Sequence, residues 1–447
     1  MRRLCLAVLT ACLSAQEPFL VAPYLQLGDA PRVAPRESLE LLWHSEDQDG
    51  DWTVEVRLAG AWKAQGKPAF RRMDAPPLPP HRIWRATLRN LPPGATVPYR
   101  VMLAGKAVFQ AEAKTRKPGA HRMVVFADIA DGSREQAAIA KAVHGQSPDA
   151  VLVAGDIVYP RGRAAEYRKV FYPVYNLEAV PLLRSTPVLS VPGNHDVPFP
   201  KHADAAAYFA YWSMPLNGPA RGPAEPSAAP MVPGVHDGVV AAAGPAYPRM
   251  GSYSFDYGQV HWTVLDSNVY ADWENPTLQA WLEADLKGAQ GATWRFVALH
   301  HPLFQSSRTH LDDQWMRVIS PLLEQYGVSL VFAGHVHNYQ RSAPIRFKPT
   351  KVGTKGRPVE GEFQVDEAFD GVRVTRAKAP IHIVTGAGGA ELYDRWQTDA
   401  KASWQPWTRT FISDRHSFTV LDVAGRTVKL RQLDAEGREL DAITLTK

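Results

Sequence analysis

Five short clusters between Asp128 and His337 carry side chains able to hold metal ions. They read Phe126-Ala127-Asp128, Gly155-Asp156-Ile157-Val158-Tyr159, Gly193-Asn194-His195-Asp196, Leu299-His300-His301-Pro302 and Gly334-His335-Val336-His337. Carboxylate, amide oxygen, imidazole and phenolate suit Fe, Zn or Mn and poorly suit a soft metal. His335 and His337 are one residue apart, so in an extended stretch both face one centre. Asp156 is the best candidate to bridge two ions with its two oxygens. Ions about 3.5–4 Å apart hold a hydroxide between them and clamp a phosphoryl group for in-line attack. Taken singly, each cluster has an ordinary reading. A strand-end Asp is often a helix cap, a lone His a satisfied core residue, and Gly-Asn-His-Asp a turn. Their joint occurrence, each after an apolar run, is what points to a metal centre.

The elements that must position these clusters are short. Apolar runs at 123–127, 150–154, 188–191, 295–299 and 328–333 each end at a polar cluster. Helix-period stretches at 134–144, 165–179, 277–287 and 312–326 lie between several of them. Strands alternating with helices predict a layered α/β domain, with ligands at the carboxyl ends of the strands. Residues 252–256 and 260–266 predict a hairpin. Before this domain, alternating segments at 38–44, 52–58, 81–88 and 98–103 predict an all-β sandwich over 18–116. It contains no cluster of titratable groups and reads as a structural or docking module. A polar connector then leads into a domain spanning 120–447. Within it, 214–250 is rich in Pro, Ala and Gly and reads as a surface insertion or lid. The segment 344–380 reads as loops and short strands that help wall the pocket.

The bulk composition bounds the function. The 447 residues imply two domains or more, with 45% hydrophobic and 21% charged content typical of a soluble globular protein. The formal charge is +5, two units of it from Arg2 and Arg3, so nucleic-acid binding is not indicated. Residues 1–15 read as an export signal: two arginines, an apolar run, then Ser14 and Ala15. Leu9-Thr10-Ala11-Cys12 also resembles a lipobox, which would anchor the chain to a membrane by lipid. Export would place the protein in the periplasm, in the medium or on the outer surface. The only cysteines, Cys5 and Cys12, lie in this leader, so the mature chain has no disulfide and no thiolate ligand.

The order of motifs resembles the calcineurin-like metallophosphoesterases, and more narrowly the purple acid phosphatases. The first cluster, Asp128-Ile129-Ala130, lacks the His that most of the superfamily carries at the third position, and Tyr159 stands three residues after Asp156. The resemblance spans nearly the whole mature chain. It implies a fibronectin III-like or Ig-like N-terminal sandwich and a metallophosphoesterase domain. It also implies Fe(III) held by Asp128, Asp156, Tyr159 and His337, and a divalent Fe, Zn or Mn held by Asp156, Asn194, His300 and His335. His195 would contact a phosphate oxygen. His310 would orient phosphate or protonate the leaving alkoxide. Ala130 stands where the family usually has Gly, and Asp196 and Gln340 where it often has Glu. His301 reads as structural.

The resulting expectation is an exported phosphatase that hydrolyses small phosphomonoesters by attack of a metal-bound hydroxide. A phosphodiesterase on the same site is one rival. A non-catalytic surface binding protein is a second, disfavoured by the intact ligand set. A nuclease is a third, disfavoured by the weak basic excess. No Ser or Cys nucleophile motif competes. The oligomeric state is not legible.

Overall fold

The computed structural model describes residues 18–198, 202–219, 235–352 and 359–447. The predicted leader at 1–15, with the lipobox at 9–12, lies outside the described residues.

The N-terminal part is a sandwich of two four-stranded antiparallel sheets. One orders Val21–Gln26, Glu37–Glu46, Leu78–Leu91 and Ala69–Ala75; the other orders Ala61–Ala64, Trp52–Leu58, Thr96–Leu103 and Lys106–Lys114. Alternating apolar residues such as Leu39, Leu41 and Trp43 face Val54, Val56, Tyr99 and Val101, forming a core separate from that of the rest of the chain. Polar bonds tie the sandwich to the domain that follows. Tyr24 Oη and Gln26 Nε2 each donate to Tyr211 O at 3.0 Å.

The second domain has two sheets packed face to face. In the first, Val188–Ser190, Ala150–Val153 and His121–Phe126 run parallel, followed by antiparallel Ser417–Ala424, Thr427–Asp434 and Glu439–Thr446. In the second, Val260–Leu265, Trp294–Leu299, Leu330–Ala333 and Ile381–Thr385 run parallel, flanked by the Tyr253–Tyr257 edge and by Tyr339–Val352. The parallel strands are buried on both faces, which is why they read as unbroken apolar runs rather than alternating ones. The sheets meet at their centres: Thr385 Oγ1 lies 3.0 Å from Thr419 Oγ1, and Ala127 N donates to Thr385 O at 3.0 Å. This contact brings the carboxyl ends of both parallel sets to one place.

The predicted hairpin is present, as Tyr253–Tyr257 paired with Val260–Leu265. Two predicted helices form nearly as read, at Arg134–Gly145 and Pro276–Gly288. The other two do not form as continuous α-helices. Over 165–179 the chain makes a short turn, a π-type segment at Tyr167–Phe171 and a second short helix at Tyr172–Tyr175. Pro173 has no N–H to continue an α ladder. Over 312–326 the first half is a 3₁₀ segment, Trp315–Ile319, and only Ser320–Gln325 is α, with Pro321 tolerated in its first turn.

The insertion at 214–250 is only partly a surface loop. Val235–Ala243 is helical, and Tyr247 and Met250 are buried, anchoring its end in the core. Residues 220–234 lie outside the described residues. The reading of 344–380 as pocket wall is corrected. Tyr339–Val352 runs antiparallel to Ile381–Thr385, with Tyr339 opposite Thr385 and Pro344 opposite Ile381. It therefore carries the chain away from the site and towards the opposite end of the sheet.

Candidate metal centre

Asp128 follows the His121–Phe126 strand, and Asp156 the neighbouring Ala150–Val153 strand. Tyr159 is placed by main-chain pairing between the two loops: its N–H donates to Ala130 O at 2.9 Å. The Ala130 position that lacks a histidine thus supplies the carbonyl that seats the tyrosine. Tyr159 Oη lies 3.0 Å from Asp128 Oδ1, 3.1 Å from Asp156 Oδ2 and 2.9 Å from His337 Nε2. The four side chains assigned to the first ion therefore converge within hydrogen-bond distance.

The second set converges on Asn194. His300 Nε2 lies 3.0 Å and His335 Nδ1 2.9 Å from Asn194 Oδ1. His300 Nε2 is also 3.3 Å from Asp156 Oδ1. Asp156 is thus shared, with Oδ2 facing the tyrosine cluster and Oδ1 the histidine–asparagine cluster.

The second nitrogens of the rings fix their orientation. His300 Nδ1 is 3.0 Å from Ala154 O, and His337 Nδ1 is 2.7 Å from Glu391 O. Each Nδ1–H donates to its carbonyl, leaving Nε2 as a lone-pair donor towards the centre. The backbone is bent to achieve this. Asp128 (φ 59), Asp156 (φ 48) and His335 (φ 67) occupy the left-handed region, which non-glycine residues adopt only when surroundings compel it. Gly155 (φ 90) packs so closely that a Cβ there would lie 2.6 Å from His300 Cγ. Asp196 braces two of the loops by accepting from Gly193 N at 2.9 Å and Ile157 N at 3.0 Å.

The electrostatics fit cations. Burial would raise the Asp156 carboxyl, but His300 and His195 hold it well below the usual carboxylate range. Burial, then Asp128 and Asp156, push the Tyr159 phenol well above its ordinary value. A phenol between two carboxylates ionises only if a multivalent cation joins them. Asp128 Oδ2 is buried with no hydrogen-bond partner, an acceptor that a cation would satisfy. With no thiol in the described chain, the donor set is oxygen and imidazole nitrogen throughout, as two hard or borderline ions require.

Two further histidines face outward. His195 Nδ1 is 2.7 Å from Pro160 O, which leaves Nε2 directed inward, 3.9 Å from Asp156 Oδ2. His310 (φ 63) lies over His335, ring centroids 4.0 Å apart. The His195 and His310 side chains are 35% and 34% exposed, against 0% for His300, so a substrate can reach them. His301 is buried, with Nδ1 3.0 Å from Ser267 Oγ and its ring 4.3 Å from that of His335. His300, His301 and His335 each offer an atom within 4.8 Å of the others. Since the Ser267 contact occupies Nδ1 of His301, its place is as support for His335. Gln340 accepts from Ser306 N at 2.6 Å and donates to Asn338 Oδ1 at 2.9 Å, so it orients neutral groups and needs no charge.

Sequence reading missed Asp313. Its Oδ2 lies 3.0 Å from His310 Nδ1 and 3.2 Å from His335 Nε2, making it the shared acceptor of both rings. The spacing His310-x-x-Asp313 was the available signal. Also missed was Tyr393, stacked on His337 with centroids 4.0 Å apart and planes 11° from parallel. Asp394 beside it accepts from Thr309 N at 2.8 Å and from Ser307 Oγ, and Gln397 Oε1 accepts from Arg308 N at 2.9 Å. The site's wall is therefore built from the 305–313 and 390–397 loops.

Comparison with known proteins places the chain among phosphoesterases. The calcineurin-like phosphoesterase family matches residues 121–339. Human acid phosphatase type 7 is 24% identical over 399 residues, covering 82% of this chain and 77% of its own. Purple acid phosphatase 23 of Arabidopsis thaliana is 43% identical over 94 residues, 20% of each chain. Among solved structures, the fold is shared with purple acid phosphatase PPD1 from yellow lupin (Lupinus luteus) seeds, at TM-score 0.69 and 16% identity, covering 95% of this chain and 74% of that one. The family works through a dinuclear metal centre. The chain carries a calcineurin-like phosphoesterase domain, resembles the purple acid phosphatases, and is a metal-dependent phosphoric ester hydrolase.

Proposed function

We propose that this protein hydrolyses small phosphomonoesters at a two-metal centre. One ion, ferric as the resemblance to the purple acid phosphatases implies, would be held by Asp128, Asp156, Tyr159 and His337. The other, a divalent Fe, Zn or Mn, is held by Asp156, Asn194, His300 and His335. The observation that carries this reading is the division of Asp156. Its two oxygens serve two separate clusters, as a bridging carboxylate must.

When bound, such ions act as Lewis acids towards phosphoryl oxygens and lower the pKa of a coordinated water. The chain's own groups do the rest. His195 Nε2, fixed by the Nδ1 bond to Pro160 O, is placed to bind a non-bridging phosphoryl oxygen. His310 Nδ1–H is held by Asp313, so when the ring is doubly protonated its Nε2–H is placed to protonate the leaving alkoxide. The predicted leader argues that this chemistry takes place outside the cytoplasm.

The test uses leaderless protein. Metal content and visible spectrum are measured, then hydrolysis of mono- and diesters is compared. Two ions per chain, a visible phenolate-to-iron band and faster monoester hydrolysis are expected. A protein with both ions bound and no ester hydrolysis sinks the reading. Faster diester hydrolysis reassigns the substrate class.

A further inference from the structure

The Trp294–Leu299, Leu330–Ala333 and Ile381–Thr385 strands turn their carboxyl ends to the metal centre. Their opposite ends open on a second cavity of 1080 Å³. That equals the upper end of small-molecule pockets, about 300–1,000 Å³. A six-residue strand at about 3.3 Å per residue puts roughly 20 Å between the two sites. The cavity lies between the Tyr339–Val352 and Val359–Val365 hairpin, the segment before Ile381, and residues 445–447.

Its charge is one-sided. Arg346, Lys348, Arg376, Lys378, Arg426 and Lys447 line it, against Glu324 and Glu362. The side chains of the whole sequence sum to only +5, so a side-chain excess of four in one cavity is a local concentration and not a general property of the surface. Ion pairing does not neutralise it. Among the described residues none of the six side chains forms a salt bridge with an Asp or Glu. Nearby pairs are made by other groups, Lys351 with Glu360 and Arg409 with Glu367. Arg346 donates only to Lys378 O (3.2 Å) and Arg426 to Lys447 O (3.1 Å).

The floor holds unused donors. Ser329 lines the cavity, and its buried Oγ has no hydrogen-bond partner. Arg295 lies behind Gly327, its Nη2 3.2 Å from where a Cβ would stand. Its Nε is buried without a partner, and Nη1 is spent on carbonyls of Ala289 and Ala292. The Lys447 ammonium is 5.2 Å from the Trp294 ring centroid, and burial, then Arg295 and Arg426, hold it below the usual lysine range. Clustered cations and buried unpaired donors both cost free energy, which a bound anion would recover.

The chemistry of that anion follows from the lining. Guanidinium forks match phosphate oxygens bidentately, and three arginines line the walls with a fourth below. Single-stranded nucleic acid also needs a ladder of free aromatic faces. Trp294 and Phe347 are buried. Phe363 is exposed but set edge-on to Trp407, centroids 5.2 Å apart. The cavity offers charge without stacking. We propose that it binds a linear inorganic polyphosphate chain, at a site remote from the metal centre and independent of its chemistry.

The test titrates metal-loaded protein with medium-chain polyphosphate, with orthophosphate present in excess to fill the metal centre. Binding is expected to persist and to weaken as salt rises. Arg376→Glu with Lys378→Glu should lower affinity about tenfold or more, because each change puts an anion where a cation faced phosphate. Both residues are exposed, so the variant should fold, with its melting temperature as the check. Lys348→Glu, on the Tyr339–Val352 strand, gives an independent loss. Lys67→Glu with Lys106→Glu, on the distant sandwich, should change nothing. The proposal is overturned by absent binding, by displacement with orthophosphate, or by undiminished affinity in the cavity variants. Equal affinity for single-stranded DNA of matched charge overturns the ligand class.

Discussion

Replacing Asp313 by Asn keeps its shape and removes its charge, which isolates its role. In the structure one carboxylate oxygen accepts from two rings, at 3.0 Å from His310 Nδ1 and 3.2 Å from His335 Nε2. Acceptance from Nε2–H leaves the lone pair of His335 on Nδ1, the nitrogen 2.9 Å from Asn194 Oδ1 and facing the proposed second ion. An amide oxygen in the same place can still accept from both rings, but it carries no charge. It therefore holds the proton on His335 Nε2 less firmly and leaves the Nδ1 lone pair a weaker donor to a cation. Loss of such a supporting acceptor typically costs 10–100-fold in metal affinity or activity, about 1.4–2.7 kcal/mol. Asp313→Asn is therefore expected to lower affinity for the more weakly held ion by that factor, with a similar fall in kcat/KM. Asp313→Glu should recover part of both. The assay is competition against a graded chelator, with kcat and KM measured at saturating metal. Metal affinity and kcat/KM both within twofold of the parent chain would refute the charge argument.

Tyr159→Phe removes the oxygen shared by Asp128, Asp156 and His337, and the iron-loaded protein should lose its visible band; retained colour would show that the tyrosine is not a ligand. His195→Ala should keep both ions but lose about 10²–10⁴-fold in kcat/KM, read by metal analysis alongside kinetics. Gly155→Ala adds a Cβ at φ 90 against the His300 ring and should cost about 1–2 kcal/mol from the backbone alone, with reduced metal content. His261 sits between Asp256 (2.8 Å) and Asp285 (3.0 Å); burial opposes its charge, but the two carboxylates raise its pKa to about 9. A raised pKa stabilises the fold fully below about 6.5, and that contribution, on the order of 3 kcal/mol, fades as pH rises through 9. The melting temperature should fall across that window, and His261→Asn should flatten the fall.

What the sequence revealed and what it hid divide along a physical line. Asp128, Asp156, Asn194, His300 and His335 stand within a few residues of strands whose apolar runs are unmistakable, because both faces of those strands are buried. For such residues the local pattern also fixes the direction of the side chain, so type and spacing suffice. Asp313 and Tyr393 follow no strand. Each acts because two irregular loops meet, locked through Asp394 and Gln397 to residues some 85–91 positions away. No window of sequence contains that contact. Misreading 344–380 has the same origin. Its composition shows a polar, cation-rich segment near the last metal motif, and nearness in sequence suggests the pocket wall. Strand direction decides otherwise: antiparallel pairing with Ile381–Thr385 moves Arg346 and Lys348 one strand length from the candidate metal centre. Their charges then fall beside Arg376, Lys378, Arg426 and Lys447, residues that share no motif with them. A cationic surface assembled in this way is invisible to net charge, since acids elsewhere in the chain cancel it. It becomes legible only once the topology has set which strand ends lie together.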